Sequence, residues 1–247
     1  ARIEHRQSMI NVAQYGRAGA DPATLKILGA AEYKLSRQLK SGRGVYTFCM
    51  CPGGQVVCSS SEEGMVATNG MSLHARDGEN ANSALLVSVN PGDFGSDDVL
   101  AGVEFQRRYE RAAFLAGGGD YRAPAQRVED FLKNRASRRF GDVAPSYMPG
   151  VHPANLSAVL PEFAFESMRE ALPQMGRLLR GFDHPDAVLT GVETRSSAPV
   201  RIERGADGCA NIGGLYPTGE GAGWAGGIMS AAVDGIRQAQ RILGINE

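Results

Sequence analysis

The chain is most informative first in what it lacks. Its 247 residues carry 26 basic and 27 acidic side chains, a formal net charge of −1. That balance leaves no basic footprint, so neither nucleic acid nor an anionic membrane is an expected partner. No apolar run approaches the roughly 20 residues that cross a bilayer. The opening stretch "ARIEHRQSMI" has neither the apolar region nor the cleavage pattern of a signal peptide. Cysteine is scarce, with four in total, three of them at Cys49, Cys51 and Cys58. That number excludes a disulfide-built secreted scaffold, and a reducing cytoplasm is the expected setting. Internal repeats and long low-complexity tracts are absent. The chain starts at Ala1 with strand-like "RIEH", which reads as a fragment.

Apolar residues make up 43% of the chain, enough for one large or two small domains. "RGVYTFCM" and "QVVCSS" are β-rich runs on either side of "CPGG", the pattern of a hairpin. Residues 64–69 suggest a short strand, and "SALLVSV" a buried one stopped by "NPGDFG". A helix is predicted over 98–115, ended by the glycines at 117–119. "APAQRVEDFLKNR" reads as a second helix with Pro124 in its first turn. "NRASRRFGD" reads as a solvated loop. "LPEFAFESMREALPQMGRLLRGF" predicts one or two helices interrupted by Pro173. "DAVLTGVET", "APVRIER" and "NIGGLYPTG" read as strands. A last helix places Ala232, Ile236, Ala239 and Leu243 on one face. The fold class expected is α+β, with a mixed-sheet domain over 1–185. Residues 186–247 would form a strand, a glycine turn and a helix belonging to a second domain.

That glycine turn is the most unusual stretch. Seven of the 22 residues from Gly214 to Gly235 are glycine, immediately before the apolar helix. Glycine is entropically costly in ordered structure, so the density implies either looseness or close approach of something bulky to the backbone. Gly221, Gly223 and Gly226 match GxGxxG, with a predicted strand before and a helix after. A complete dinucleotide unit needs a further strand carrying an acid about 20 residues on, and the sequence stops first. The better reading is a closing unit, with Glu220 accepting hydrogen bonds from a polyol and the glycines passing close to a flat ring.

"GLYPTGEGAGWAGGIMSAAVDGI" resembles the C-terminal flavin-contacting segment of a family of uncharacterised bacterial FAD-dependent dehydrogenases. These are distant relatives of glutathione-reductase-type flavoproteins. "VYTFCMCPGGQVV", "TNGMSLHARDGENANSALLVSV" and "LTGVETRSSAPVRI" resemble the same family, in order along nearly the whole chain. The resemblance implies FAD as cofactor, hydride transfer to or from a small organic substrate, and an N-terminal GxGxxG half that this sequence does not contain. It also implies that residues 1–185 are the substrate-side domain, that 186–247 are the C-terminal part of an incomplete FAD-binding domain, and that Glu220 contacts the ribitol chain. Gly221, Gly223, Gly226, Gly227 and Ile228 would line the ring, while Trp224 either stacks beside the cofactor or is a buried anchor. The helix dipole would favour the charge that develops on reduced flavin.

Other residues carry two readings each. Cys49 and Cys51 are either thiols facing the flavin pocket or inert thiols at a strand end; C-x-C is not the thioredoxin-like spacing. A zinc set of Cys49, Cys51, Cys58 and His74 lacks a paired knuckle, and no metal is expected. His74 is either an acid/base with Arg76 as anion clamp, or part of an internally satisfied polar turn. Arg195 binds a carboxylate or phosphate, or pairs with Glu193. The functional expectation is a piece of an FAD-dependent oxidoreductase, inactive alone, and the alternative is a non-catalytic binding or assembly domain.

Overall fold

The computed structural model describes residues 1–245 and is α+β. Two compact units form, one from Ala1–Val89 and Arg107–Thr194, the other from Asn90–Gln106 and Arg195 onward.

The first unit is organised by β1 (Arg2–Arg6), whose alternation sends Ile3 and His5 to one face and Arg2, Glu4 and Arg6 to the other. Antiparallel partners flank it: β5 (Asn80–Val87) on one side and β8 (Val188–Thr190) on the other. The mixed sheet continues through β3 (Gly44–Cys58) to β2 (Ser36–Gln38), and in the other direction through β6 (Ala123–Arg127) to β7 (Val151–Pro153). A further strand, β4 (Thr68–Ser72), pairs with the far half of β3. Only the β6–β7 pairing is parallel among the described strands.

Four helices pack in this unit: α1 (Gln7–Tyr15), α2 (Pro22–Leu28), α4 (Val128–Leu132) and α5 (Glu162–Leu178). A fifth, α3 (Ala101–Ala116), contributes its residues from Arg107 on and ends at the predicted glycines. The core joins Ile3, Leu85 and Leu189 of the sheet to Phe165, Leu172 and Met175 of α5. Helix α5 runs straight through Pro173 instead of splitting there. The proline removes one ladder bond at about 3 kcal/mol, whereas Ala164, Phe165, Met168, Ala171, Leu172 and Met175 form a buried stripe worth more in total.

Two local expectations are corrected. The "CPGG" run does not reverse the chain, because β3 is a single 15-residue strand. Register shifts between Phe48 and Cys51 and between Cys51 and Gly54 absorb these residues as bulges. Gly53, at φ 48°, donates its N–H to Gln7 Oε1, and its carbonyl accepts from Gly78. A Cβ there would sit 1.9 Å from the Arg76 carbonyl, so the glycine serves a crossing, not a turn tip. "APAQRVEDFLKNR" begins as strand β6, and only its middle, α4, is helical. Pairing with β8 on one side and β7 on the other overrides the local helical pattern.

The second unit contains the start of α3 and α6 (Ile228–Ile242). The predicted strands "APVRIER" and "NIGGLYPTG" do not form there. Their backbone bonds are isolated, Ala210 N–H to Leu215 O and Ile202 N–H to Ala222 O, and no described strand in the unit offers them a ladder. Helix α6 is anchored by polar groups. Arg204 grips Asp234 through both nitrogens at 2.6 and 3.0 Å, and Gln238 donates to Gly208 O at 2.9 Å. The Arg204 hydrogen bonds lower the Asp234 carboxyl to about 2.

His5 gives the first unit a specific pH response. Its Nε2–H donates to the Phe182 carbonyl at 2.8 Å, while burial lowers its pKa to about 4. The unfolded chain, with an ordinary value of 6.5, therefore binds an extra proton between the two, and stability falls as pH drops through that window. Urea unfolding at pH 7 and pH 5 should show a loss of about 2 kcal/mol attributable to this residue. His5→Gln should abolish that increment, and an identical pH dependence in parent and variant would refute it.

Candidate functional site

The bulges of β3 turn two cysteines toward a buried cation. Arg2 is fully inaccessible, and each end of its guanidinium is used. Nε donates to Asn82 Oδ1 at 2.8 Å, and Nη1 to both Glu193 oxygens at 2.9 and 3.2 Å. Nη2 donates to the Cys49 carbonyl and to Cys51 Sγ, the latter at 3.1 Å. Cys49 adopts φ 42°, a sparsely occupied region for a side-chain-bearing residue, and this aims its carbonyl at the guanidinium. The Cys51 thiol can donate in turn to Cys49 O at 3.3 Å.

Burial raises the Cys51 pKa against the opposing pull of Arg2. Glu193 is likewise pushed up by burial and pulled down by Arg2. Cys51 is thus a thiol at neutral pH, suited to giving and taking hydrogen bonds rather than to nucleophilic attack. Among the described residues none of the four cysteines is in a disulfide, and Cys49 and Cys58 are exposed. The shift at Cys58 runs the other way: burial acts to raise it, but the Ser60 and Tyr147 hydroxyls outweigh burial and lower it.

Beside Arg2 on the same sheet face lies a second buried acid, Glu4. It accepts from Asn80 Nδ2 at 3.0 Å and from the Ser146 hydroxyl, and burial is the largest cause of its raised pKa. Sequence reasoning missed Arg2, Glu4, Asn82 and Ser146. The signal available was the charge at every second position of "RIEHR", a strand face too polar for a core unless its charges are paired.

His74 lies exposed on the turn between β4 and β5, and its ring makes no hydrogen bond among the described residues. Neighbouring Arg76 pairs with Glu32 at 2.6 Å. The structure therefore joins Cys49 and Cys51 in one cluster and places His74 on a separate surface turn.

The predicted cofactor residues are contiguous in the second unit, where Arg195 also lies, half-buried. Glu220 is half-buried, and its side chain has no recorded partner among the described residues. The glycines differ in what their bareness accomplishes. A Cβ on Gly223, at φ 78°, would meet the Val200 carbonyl at 2.5 Å, so the chain itself fills that space. Gly221 and Gly226 have nothing within 4 Å of a Cβ and face open space. Gly227 precedes α6 without any side-chain cap, which leaves the N–H groups of the first turn, starting at Ile228, available. Trp224 is held by the chain: its Nε1 donates to Ile202 O at 2.9 Å, and Arg204 and Arg201 lie 4.0 and 4.8 Å from its ring. Arg201 also donates to Gly223 O at 3.1 Å and borders an open groove of about 850 Å³ lined by Gly92, Phe94, Gly102 and Pro199.

A family model described as "FAD-dependent protein, C-terminal domain-like" matches residues 1–196. The chain belongs to that family. It is also 53% identical over 244 residues to an uncharacterized protein of Clostridium beijerinckii, an alignment covering 98% of this chain and 45% of the relative. The chain therefore spans less than half the length of that relative. The matched family is FAD-dependent by its description, its model ends at residue 196, and the residues of the second unit beyond that point fit part of such a group. The open sides of Gly221 and Gly226, the unpartnered Glu220 carboxylate and the uncapped start of α6 suit a polar, partly anionic ligand. Gly223 and Trp224 already serve the fold.

Gly70 tests the cluster in the first unit. A Cβ there would stand 1.9 Å from Arg2 Nη2 and 2.3 Å from Asn82 Oδ1, both immobilised. Gly70→Ala should destabilise the unit by about 1–3 kcal/mol and make Cys51 react faster with a maleimide, with Cys58 as internal reference. Unchanged stability and reactivity would show that the guanidinium is not held as described.

Proposed function

We propose that the chain is part of an FAD-dependent oxidoreductase that moves a hydride between flavin and a small organic substrate in the cytoplasm. Family membership over residues 1–196 carries this reading. The open glycine turn supports it. Flavin, when bound, supplies the two-electron chemistry. The chain's own contribution would be to bind and orient. Glu220 accepts hydrogen bonds from the ribitol hydroxyls, while Gly221 and Gly226 let the ring edge approach. The N–H groups of the first turn of α6, from Ile228 on, favour negative charge there. Among these residues Gly223 keeps the turn closed against Val200, and Trp224 fixes Arg201 and Arg204 behind it. No helix among the described residues is long and apolar enough to cross a membrane.

On this reading the first unit is the substrate side. The Cys51 thiol, polarised by Arg2 and half exposed, is the group there able to hold a proton for a substrate. The same reading gives His74 of the first unit an acid/base role and, separately, Arg195 of the second unit the role of an anion clamp. A glutathione-reductase-type architecture for the complete protein belongs to the same proposal.

Glu220→Ala in the full-length protein should weaken FAD binding about tenfold or more, the worth of one or two hydrogen bonds to a charged acceptor. Unfolding of the apoprotein should change by no more than about 0.5 kcal/mol, as for a surface substitution. Equilibrium titration followed by flavin fluorescence measures the first quantity. Equal affinity in parent and variant would remove Glu220 from the site, and absence of any flavin binding by the parent would remove the proposal.

A further inference from the structure

Glu4 belongs to an arrangement that flavin chemistry does not use. The acid is completely buried, and the Ser146 hydroxyl donates to its Oε1. Asn80 Nδ2 donates to the same oxygen at 3.0 Å and to the Ala144 carbonyl at 2.8 Å. The Ser146 backbone N–H lies 3.2 and 3.3 Å from the two carboxylate oxygens. Among the described residues Glu4 is thus held by N–H and O–H donors and not by a cation; the neighbouring Arg2 guanidinium donates to Glu193 instead. Burial raises the affinity of the Glu4 carboxyl for a proton. A hydroxyl bonded to such a carboxyl, itself oriented by a third group, is the arrangement of an activated serine.

Ties of this kind also anchor loops. What carries the arrangement further is the other side of Ser146, which lines a cavity of about 240 Å³ within the first unit. Its Oγ accepts from the Val56 N–H at 2.8 Å. A hydroxyl oxygen has two acceptor lone pairs, so one remains for an electrophile in the cavity. Much of the lining is aliphatic: Met71 and Leu73, 54% and 65% exposed, are joined by Ala144 and Pro145. Gln55 also lines the cavity; its side chain is exposed and makes no hydrogen bond among the described residues. A side-chain amide so placed can donate to a developing oxyanion.

We propose that Ser146 is the nucleophile of an acyl-transfer site that cleaves neutral esters of short aliphatic carboxylic acids. Its Oγ attacks the ester carbonyl while its proton passes to Glu4, and Gln55 donates to the oxygen that becomes negative. The alcohol leaves with the proton returned by Glu4. Water, deprotonated by the same carboxylate, then releases the acid and restores the serine. Asn80 is a positioning residue for Glu4. The cavity is smaller than the roughly 300–1,000 Å³ of sites for drug-sized ligands, which keeps the acyl group short. No electrons are exchanged and no flavin or second-unit residue takes part, so the inference stands or falls apart from the proposed function.

Diisopropyl fluorophosphate tests it on the full-length protein. Ser146 Oγ should bond to phosphorus as fluoride leaves, giving an adduct located by peptide mass spectrometry. Urea-unfolded protein and Ser146→Ala should carry none at that position. Hydrolysis of para-nitrophenyl butyrate should fall at least about 100-fold in Glu4→Gln, the worth of a general base. Gln55→Ala, at an exposed position where no packing is lost, should slow it about 100-fold, as for one oxyanion donor. A folded parent left unlabelled at Ser146 would overturn the proposal. So would ester hydrolysis that persists undiminished in Ser146→Ala or in Gln55→Ala.

Discussion

The guanidinium of Arg2 is the constraint on which the first unit depends. A charge removed completely from water is tolerable only if its donors are matched, and here their acceptors come from two strands and the stretch just after a third. Asn82 belongs to β5, Cys49 and Cys51 to β3, and Glu193 follows β8, while Gly70 of β4 must remain bare for the side chain to lie flat. The bulges of β3 and the unusual backbone of Cys49 make sense as consequences. A regular strand would direct neither the Cys49 carbonyl nor the Cys51 thiol to one nitrogen. Glu4 with Asn80 and Ser146 extends the same polar layer, so one sheet face is ordered by charge and the other by apolar packing around Ile3, Leu85 and Leu189.

The two units solve the problem of burial differently. The first has a continuous core from sheet to α5 and lies wholly within the family match, which also takes in residues 90–106 of the second unit. The second is held by the Arg204–Asp234 pair, by Gln238 and by Trp224 against two arginines, with its aliphatic side chains outside. Polar anchoring of this kind fixes the geometry of a turn but supplies little hydrophobic stabilisation.

The sequence made the strong periodic elements legible. Strand β1, strand β5 and helices α3, α5 and α6 lie close to where their patterns put them, because each has an unambiguous period or a glycine stop. It misled where tertiary pairing decides. "CPGG" carries every turn residue, yet Gly53 uses its freedom to cross Arg76. "APAQ" looks helical until β7 and β8 claim it from both sides. The candidate site was half visible. Glycine density flagged the turn at 219–227, but only coordinates separate Gly223, which the fold fills, from Gly221 and Gly226, which it leaves open. The cysteine pair was visible as C-x-C, while the arginine that gives it meaning lies 47 residues from Cys49 in sequence. No local pattern links them.

A double-mutant cycle on Arg2 and Glu193 tests the organising role of the buried cation most directly. Urea unfolding would be followed for the parent, Arg2→Met, Glu193→Gln and the double variant. Removing one partner strands the other in the interior, so each single change should cost about 3–5 kcal/mol, and the double change should cost clearly less than their sum. Single losses below about 0.5 kcal/mol that simply add, as exposed ion pairs do, would contradict this account of what holds the unit together.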